Sequence, residues 1–199
     1  QFEAALQTLD KVFQREPQHI QANLMAARVY LALHQLDPAQ QACGRLWQQD
    51  LFLFSVCSYE VAGRRGGWQQ SYAALKQLWL RQQDLPPELD SWLRGILAEQ
   101  AEQLGLIDSA QKWLTPILAQ APTSLWLKWA DLSLMLGEAK LVHQQISALE
   151  QIQAVSDSLL LRLTRAEQQL GLSPTFSADL AQRMQVRLAR GDTDHAADM

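Results

Sequence analysis

The 199-residue chain is 48% hydrophobic and 19% charged, and its formal net charge is -4 at pH 7. This composition is typical of a folded protein and excludes a disordered one. The small negative charge argues against nucleic acid as a partner, because a phosphate backbone is bound by a strongly basic face. The sequence has no apolar run close to the roughly 18 residues of a membrane-spanning helix.

Apolar residues recur with the period of a helix, as at Leu125 and Trp129, which predicts an all-α chain without strands. The predicted helices cover residues 2–16, 19–34, 37–49, 52–64, 67–83, 88–104, 107–120, 123–136, 139–153, 156–170 and 174–190. The predicted N-caps are Asp37, Asp108, Ser156 and Ser173, since their side-chain oxygens can accept from the free N–H groups of a first turn.

A turn residue follows the first helix of each predicted helix pair at a nearly constant interval. Gly66, Gly105, Gly137 and Gly171 are 39, 32 and 34 residues apart, and His34 lies 32 residues before Gly66. Such a period is a signature of a helical solenoid, in which each helix pair stacks on its neighbours. Five residues after each turn lie the residues of the predicted helix crossings: Ala39, Ser71, Ala110, Val142 and Phe176.

These spacings resemble the tetratricopeptide repeat, which has small residues at positions 8 and 20, glycine near 15 and proline near 32. Pro17 and Pro122 lie at the expected ends of second helices. The resemblance implies a right-handed α-α superhelical solenoid that forms one domain over residues 1–190. It consists of a half repeat at 2–16 and units at 19–49, 52–83, 88–120, 123–153 and 156–190. We expect residues 191–199 to be a tail that begins a truncated C-terminal part.

In tetratricopeptide arrays the first helix of each unit lines a concave groove, and the resemblance assigns this role to eight residues. They are Arg28, Val56, Glu60, Trp92, Glu99, Leu127, Asp131 and Arg165. The charged members form an acidic ladder with a base at each end, and Trp92 is the expected hot spot. Such a groove would suit a protein or peptide partner with an apolar stripe and basic residues. The alternative is that the charges solvate the face and pair with one another.

The remaining tryptophans are expected to pack between helices, because aromatic side chains bury large areas. They are Trp47, Trp68, Trp79, Trp113, Trp126 and Trp129. The sequence contains no catalytic or metal-binding motif, which predicts no enzyme activity, no cofactor and no metal. The favoured function is a non-enzymatic interaction scaffold. The alternative is a regulatory or substrate-docking domain of a larger enzyme, and two copies could also pair through an exposed end of the solenoid.

Cys43 and Cys57 lie seven residues on either side of Asp50, at the centre of a predicted turn. In an antiparallel helix pair this spacing places them at the same height, where a disulfide would indicate an oxidising compartment such as the bacterial periplasm. The alternative is a pair of buried thiols in a reducing cytoplasm. The segments LALHQLDPAQQAC and LARGDTDHAAD resemble exported bacterial tetratricopeptide proteins of unassigned role, which also favours the periplasm.

Overall fold

A computed structural model describes residues 2–82, 84–152 and 155–173, together with residues 182 and 185–186. Within these residues the chain forms α-helices and one 3-10 helix, Thr115–Gln120, and no strand. The α-helices are α1 Phe2–Arg15, α2 Ile20–Ala32, α3 Leu36–Gly44, α4 Leu51–Arg64, α5 Trp68–Arg81, α6 Pro87–Gln103, α7 Ile107–Leu114, α8 Thr123–Met135, α9 Ala139–Ile152 and α10 Asp157–Gln169. The predicted all-α helical-repeat fold is confirmed. No helix in this part of the chain is both long and apolar enough to cross a membrane.

The helices belong to two compact units, unit 1 from Gln1 to Gly105 and unit 2 from Leu106 onward. In unit 1 the first helices of the repeats, α2, α4 and α6, contact one another in order, and α3 and α5 pack beside them. In unit 2 the first helices α8 and α10 contact each other, and α9 packs against both. The prediction of one continuous domain over residues 1–190 stays a prediction. The last predicted helix, at 174–190, lies outside the described ranges except for residues 182 and 185–186. The tail at 191–199 lies outside them entirely.

The turn residues have the backbone conformation of the predicted chain reversals. Gly66, Gly105, Gly137 and Gly171 have φ angles of 99, 72, 77 and 70°, and His34 has a φ of 57°. All five are in the left-handed region, which glycine adopts freely and other residues rarely. At the crossings that follow, Ala39, Ala110 and Val142 are 0% exposed and Ser71 is 1% exposed. Phe176 lies beyond the described residues.

Two of the four predicted N-caps are wrong, and the helix that Ser173 was predicted to cap begins outside the described residues. Ser156 caps α10 as predicted, because its hydroxyl accepts from the backbone N–H of Leu159 at 3.4 Å. Helices α3 and α7 instead begin at Leu36 and Ile107, which places Asp37 and Asp108 within the first turn. A carboxylate there still faces the positive end of the helix dipole, so the same residue type suits both positions.

Helix α3 is shorter than predicted, and this changes the environment of Trp47. The helix ends at Gly44, and residues 45–49 form turns. Trp47 is therefore 57% exposed instead of packed between helices, and its ring meets Phe54 edge-on at 4.9 Å between centroids. Trp126 and Trp129 are buried as predicted, while Trp68, Trp79 and Trp113 are half-buried.

A disulfide joins Cys43 of α3 to Cys57 of α4, with the two Cα atoms 5.5 Å apart. Between them, the Asp50 carboxylate accepts from the N–H of Leu53 at 3.0 Å and so caps α4. Both cysteines belong to the apolar core of unit 1, which also contains Leu9, Ala22, Ala26, Ala27, Leu31, Ala39, Ala42, Leu46, Leu53 and Val61. The bridge thus ties two consecutive repeats together inside the core.

Candidate functional site

Three adjacent first helices bring four charged side chains of unit 1 together. Arg28 comes from α2, Glu60 and Arg64 from α4, and Glu99 from α6. Helix α4 contacts both α2 and α6, and Glu60 interacts electrostatically with each of the other three residues. We call Arg28, Glu60, Arg64 and Glu99 the charge cluster. Three of its members were predicted from the repeat register.

Arg64 is the member that sequence reasoning missed. Its guanidinium pairs with the Glu99 carboxylate at 2.5 Å, and the two side chains are 34% and 25% exposed. The sequence carried a signal for it, because Arg64 follows Glu60 by four residues and such residues share one face of a helix. The negative charge of Glu99 on α6 is therefore partly neutralised by Arg64 on α4, the neighbouring first helix.

Glu60 does not behave as an ordinary surface carboxylate. Burial raises its pKa from 4.5 to about 7, and the negative charge of Glu99 acts in the same direction. The positive charges of Arg28 and Arg64 oppose this rise without cancelling it. Near neutral pH Glu60 is then divided between its charged and neutral forms, so this face is less acidic than the sequence suggests.

Val56 was predicted to contact a partner, and this prediction is wrong because its side chain is 0% exposed. Helix α4 has neighbours on several sides, α2, α3, α5 and α6, so little of its circumference remains open. Trp92 of α6 is half-buried and packs against the core of unit 1. It retains an exposed part, as a contact residue must.

The N-terminal part of α6, which carries Trp92, is held by a polar clamp. Asp90 accepts from the indole N–H of Trp79 at 2.9 Å and from Nε of Arg94 at 2.8 Å. The Arg94 guanidinium also lies 4.7 Å from the centroid of the Trp79 ring, in cation–π geometry. These contacts fix the start of α6 against the end of α5, and so position Trp92.

In unit 2 the predicted residues Leu127 and Asp131 lie on α8, and Arg165 lies on α10. Asp131 forms a two-point ion pair with Arg162, at 3.0 Å from Nε to Oδ1 and 2.9 Å from Nη2 to Oδ2. Leu127 is half-buried. A shallow concavity of about 830 Å³ is lined by Asp131, Leu134, Met135, Arg162, Arg165, Gln168 and Gln169.

Arg162 is a second arginine that the register did not assign to the face. It is only 8% exposed, and its Nη1 also donates to the carbonyl of Ser158 at 3.3 Å. Two of the three acidic members of the predicted ladder, Glu99 and Asp131, are thus paired with arginines. The described residues also contain no group of three His, Cys, Asp or Glu side chains arranged to hold a metal ion.

Comparison with known proteins agrees with the repeat architecture. Residues 1–51 match the family model of the tetratricopeptide repeat. No curated protein matches the chain. Among solved structures, PilF of Pseudomonas aeruginosa is 18% identical, with 95% of this chain and 83% of that chain covered and a TM-score of 0.62.

Two further solved structures have the same fold. PilW, described as a widely conserved type IV pilus biogenesis factor, is 16% identical, with 97% and 87% of the two chains covered and a TM-score of 0.62. TTC0263 of Thermus thermophilus, described as a thermophilic TPR protein, is 19% identical, with 94% and 91% covered and a TM-score of 0.57. The predicted resemblance is confirmed: residues 1–51 match the tetratricopeptide repeat, and the chain has the fold of the tetratricopeptide-repeat proteins among the solved structures.

Proposed function

We propose that this protein is a non-enzymatic interaction scaffold that binds a peptide or helix of another protein along its first helices. The supporting observation is that apolar side chains remain open beside the charged ones on these helices. Met25 of α2 is 59% exposed and Met135 of α8 is 68% exposed, while Trp92 and Leu127 are half-buried. Apolar anchors with charged neighbours are the usual composition of a helix-binding or peptide-binding surface.

The partner that fits these surfaces has an apolar stripe and a few basic residues. On the first-helix face of unit 1, its apolar side chains would cover Trp92 and its basic side chains would lie near Glu60 and Glu99. On the first-helix face of unit 2, taken by itself, such a partner would cover Leu127 and place a basic side chain near Asp131. Because Arg64 and Arg162 already pair with two of these carboxylates, charge would set the orientation of the partner more than its affinity.

The test begins with a photo-crosslinking amino acid at position 92 or 127 of the full chain, which labels the partner in cells. Binding of the identified partner is then measured with Trp92→Ala. We expect a loss of about 2 kcal/mol, or roughly thirtyfold in affinity, if Trp92 is a hot spot. Trp47→Ala is the control, because it removes the same kind of side chain at an exposed position outside the first helices. Full affinity in Trp92→Ala, with a loss in Trp47→Ala, would refute the proposed site.

We further propose that the protein works in the bacterial periplasm. The placement of Cys43 and Cys57 in disulfide geometry supports this, since stable disulfides form in oxidising compartments. The fold shared with PilF and the pilus biogenesis factor PilW is compatible with a role at the cell envelope. Thiol titration of the denatured, unreduced protein tests the assignment. No free thiol supports export, and two free thiols would favour the cytoplasm.

A further inference from the structure

A cavity of about 340 Å³ lies among the first three helices of unit 1. Its lining includes Asp10 and Phe13 of α1, Pro17, Tyr30 of α2, Pro38 of α3, and Arg45. Tyr30 follows Arg28 by two residues, which places it about 200° further round the helix. The cavity is therefore separate from the first-helix face that carries the charge cluster.

The walls of this cavity have the composition of a ligand site. Phe13 and Tyr30 are half-buried aromatic residues, and the backbone at Pro17 and Pro38 is restrained by the proline rings. Ligand pockets combine such apolar, preformed walls with a small number of placed polar groups. Here a charged polar group is supplied by Arg45.

The guanidinium of Arg45 is held from two sides. Its Nη1 donates to Oδ1 of Asn23 at 3.4 Å, and its central carbon lies 5.3 Å from the centroid of the Phe13 ring. Asn23 is 0% exposed, and its Nδ2 donates to the carbonyls of Pro17 at 3.1 Å and His19 at 3.0 Å. Because these bonds fix the amide, Oδ1 of Asn23 is directed towards Arg45.

Arg45 keeps most of its hydrogen-bonding capacity. A guanidinium has five N–H donors, and Asn23 accepts from one nitrogen of this one. With the described residues Arg45 forms no ion pair, whereas the nearby Arg64, Arg65 and Arg94 each pair with a carboxylate. A positioned arginine at an apolar cavity is thus available to an anion from outside the chain.

We propose that this cavity binds a carboxylate joined to an apolar group, with Arg45 as the anion contact. The planar guanidinium suits a carboxylate, which it binds through parallel N–H···O bonds. The apolar group would pack against Tyr30 and Pro38. Since Asp10 also lines the cavity, a ligand with one negative charge fits better than one with two. This site is independent of the function proposed for the first helices.

The test is a ¹⁵N NMR titration of the full chain with phenylacetate and, separately, with its neutral amide, phenylacetamide. We expect saturable shifts at the backbone amides of residues 41–45 with the acid, and binding of the neutral amide that is weaker by about tenfold or more. The same carboxylate chemistry can come from a free acid or from a glutamate in a peptide. Titration with the capped peptide Leu-Glu-Leu distinguishes these sources, since the tighter-binding probe identifies the kind of ligand.

Variants at the two charged lining residues test the assignment of the contact. Arg45→Gln should weaken binding of phenylacetate by about tenfold or more, and Arg45→Lys by less, because lysine keeps the charge without the planar fork. Asp10→Asn, at an exposed position, should strengthen binding because it removes a like charge. The control is Arg81→Gln, which removes an exposed arginine of unit 1 that does not line the cavity and should change nothing.

Three results would overturn the proposal. The first is the absence of saturable shifts with both phenylacetate and the peptide. The second is equal affinity for phenylacetate and phenylacetamide. The third is an Arg45→Gln variant, shown by urea unfolding to be folded, that binds phenylacetate as tightly as Arg81→Gln does.

Discussion

Replacement of Glu60 by glutamine should make the protein more stable at alkaline pH, by an amount that grows with pH. The pKa of Glu60 is about 7 in the folded chain, against 4.5 for an ordinary glutamate. Between these values the folded state holds a proton that the unfolded state releases, so this residue's contribution to stability falls as pH rises. Glutamine stays neutral throughout and does not lose that contribution.

The size of the effect follows from the pKa difference. The full difference between 4.5 and about 7 corresponds to roughly 3 kcal/mol, at about 1.4 kcal/mol for each pH unit. Glu60 is half-buried, so solvent screens part of this, and we expect an advantage for Glu60→Gln of about 1–3 kcal/mol at pH 8. The advantage should decrease to a small value near pH 5, where the folded wild type is already protonated.

Urea unfolding of the wild type, Glu60→Gln and Glu88→Gln at pH 5, 6, 7 and 8 measures this directly. The difference between variant and wild type at each pH removes the contribution of the titrating groups that do not interact with Glu60. Glu88→Gln controls for the loss of one carboxylate at an exposed site of unit 1. A difference for Glu60→Gln that does not change with pH would refute the reasoning, because it would mean that Glu60 titrates alike in both states.

Three further changes test the packing of unit 1 by unfolding. His34→Gly should raise the free energy of unfolding by about 0.5–1 kcal/mol, because glycine relieves the left-handed φ of 57°; no gain would show that this turn is unstrained. Gln100→Met should raise it by about 1 kcal/mol, since the amide of Gln100 is 1% exposed and has no hydrogen-bond partner among the described residues. A loss of stability instead would mean that the Gln100 amide does form hydrogen bonds in solution. Replacement of both Cys43 and Cys57 by alanine should lower it by about 3 kcal/mol through loop-closure entropy, and an unchanged value would argue against a bridge in the purified protein.

The turns were the part of the fold that the sequence predicted best. Position 34 carries histidine where the other repeats carry glycine, yet the interval alone identified it as a turn, and its φ is left-handed like theirs. Backbone geometry at this point is set by the repeat, since each chain reversal must occur at the same place for the helices to stack. The residue at position 34 then has to adopt the backbone conformation that the repeat requires. The spacing of the turns therefore predicted the turn at His34 better than its residue type did.

Burial was harder to predict, because it depends on helix ends and on neighbours that the register does not specify. Trp47 was assigned to the core on the assumption that α3 continued to residue 49. Gly44, a poor helix former, was a visible sign of an earlier end. Val56 was placed on the open face by register, but the helices around α4 close over it.

The charge of the candidate site shows why counting acidic residues misleads. Glu60, Glu99 and Asp131 would give the first-helix faces three negative charges if each were free and ionised. Arg64 and Arg162 offset two of them, and burial makes the third depend on pH. Ion pairs between exposed groups contribute little to stability, but they change what a surface offers to a charged partner. Under the proposed function, recognition by these faces should depend on whether a partner's basic groups can compete with the two arginines. Apolar contact at Trp92 and at Leu127 is then expected to contribute more affinity than charge.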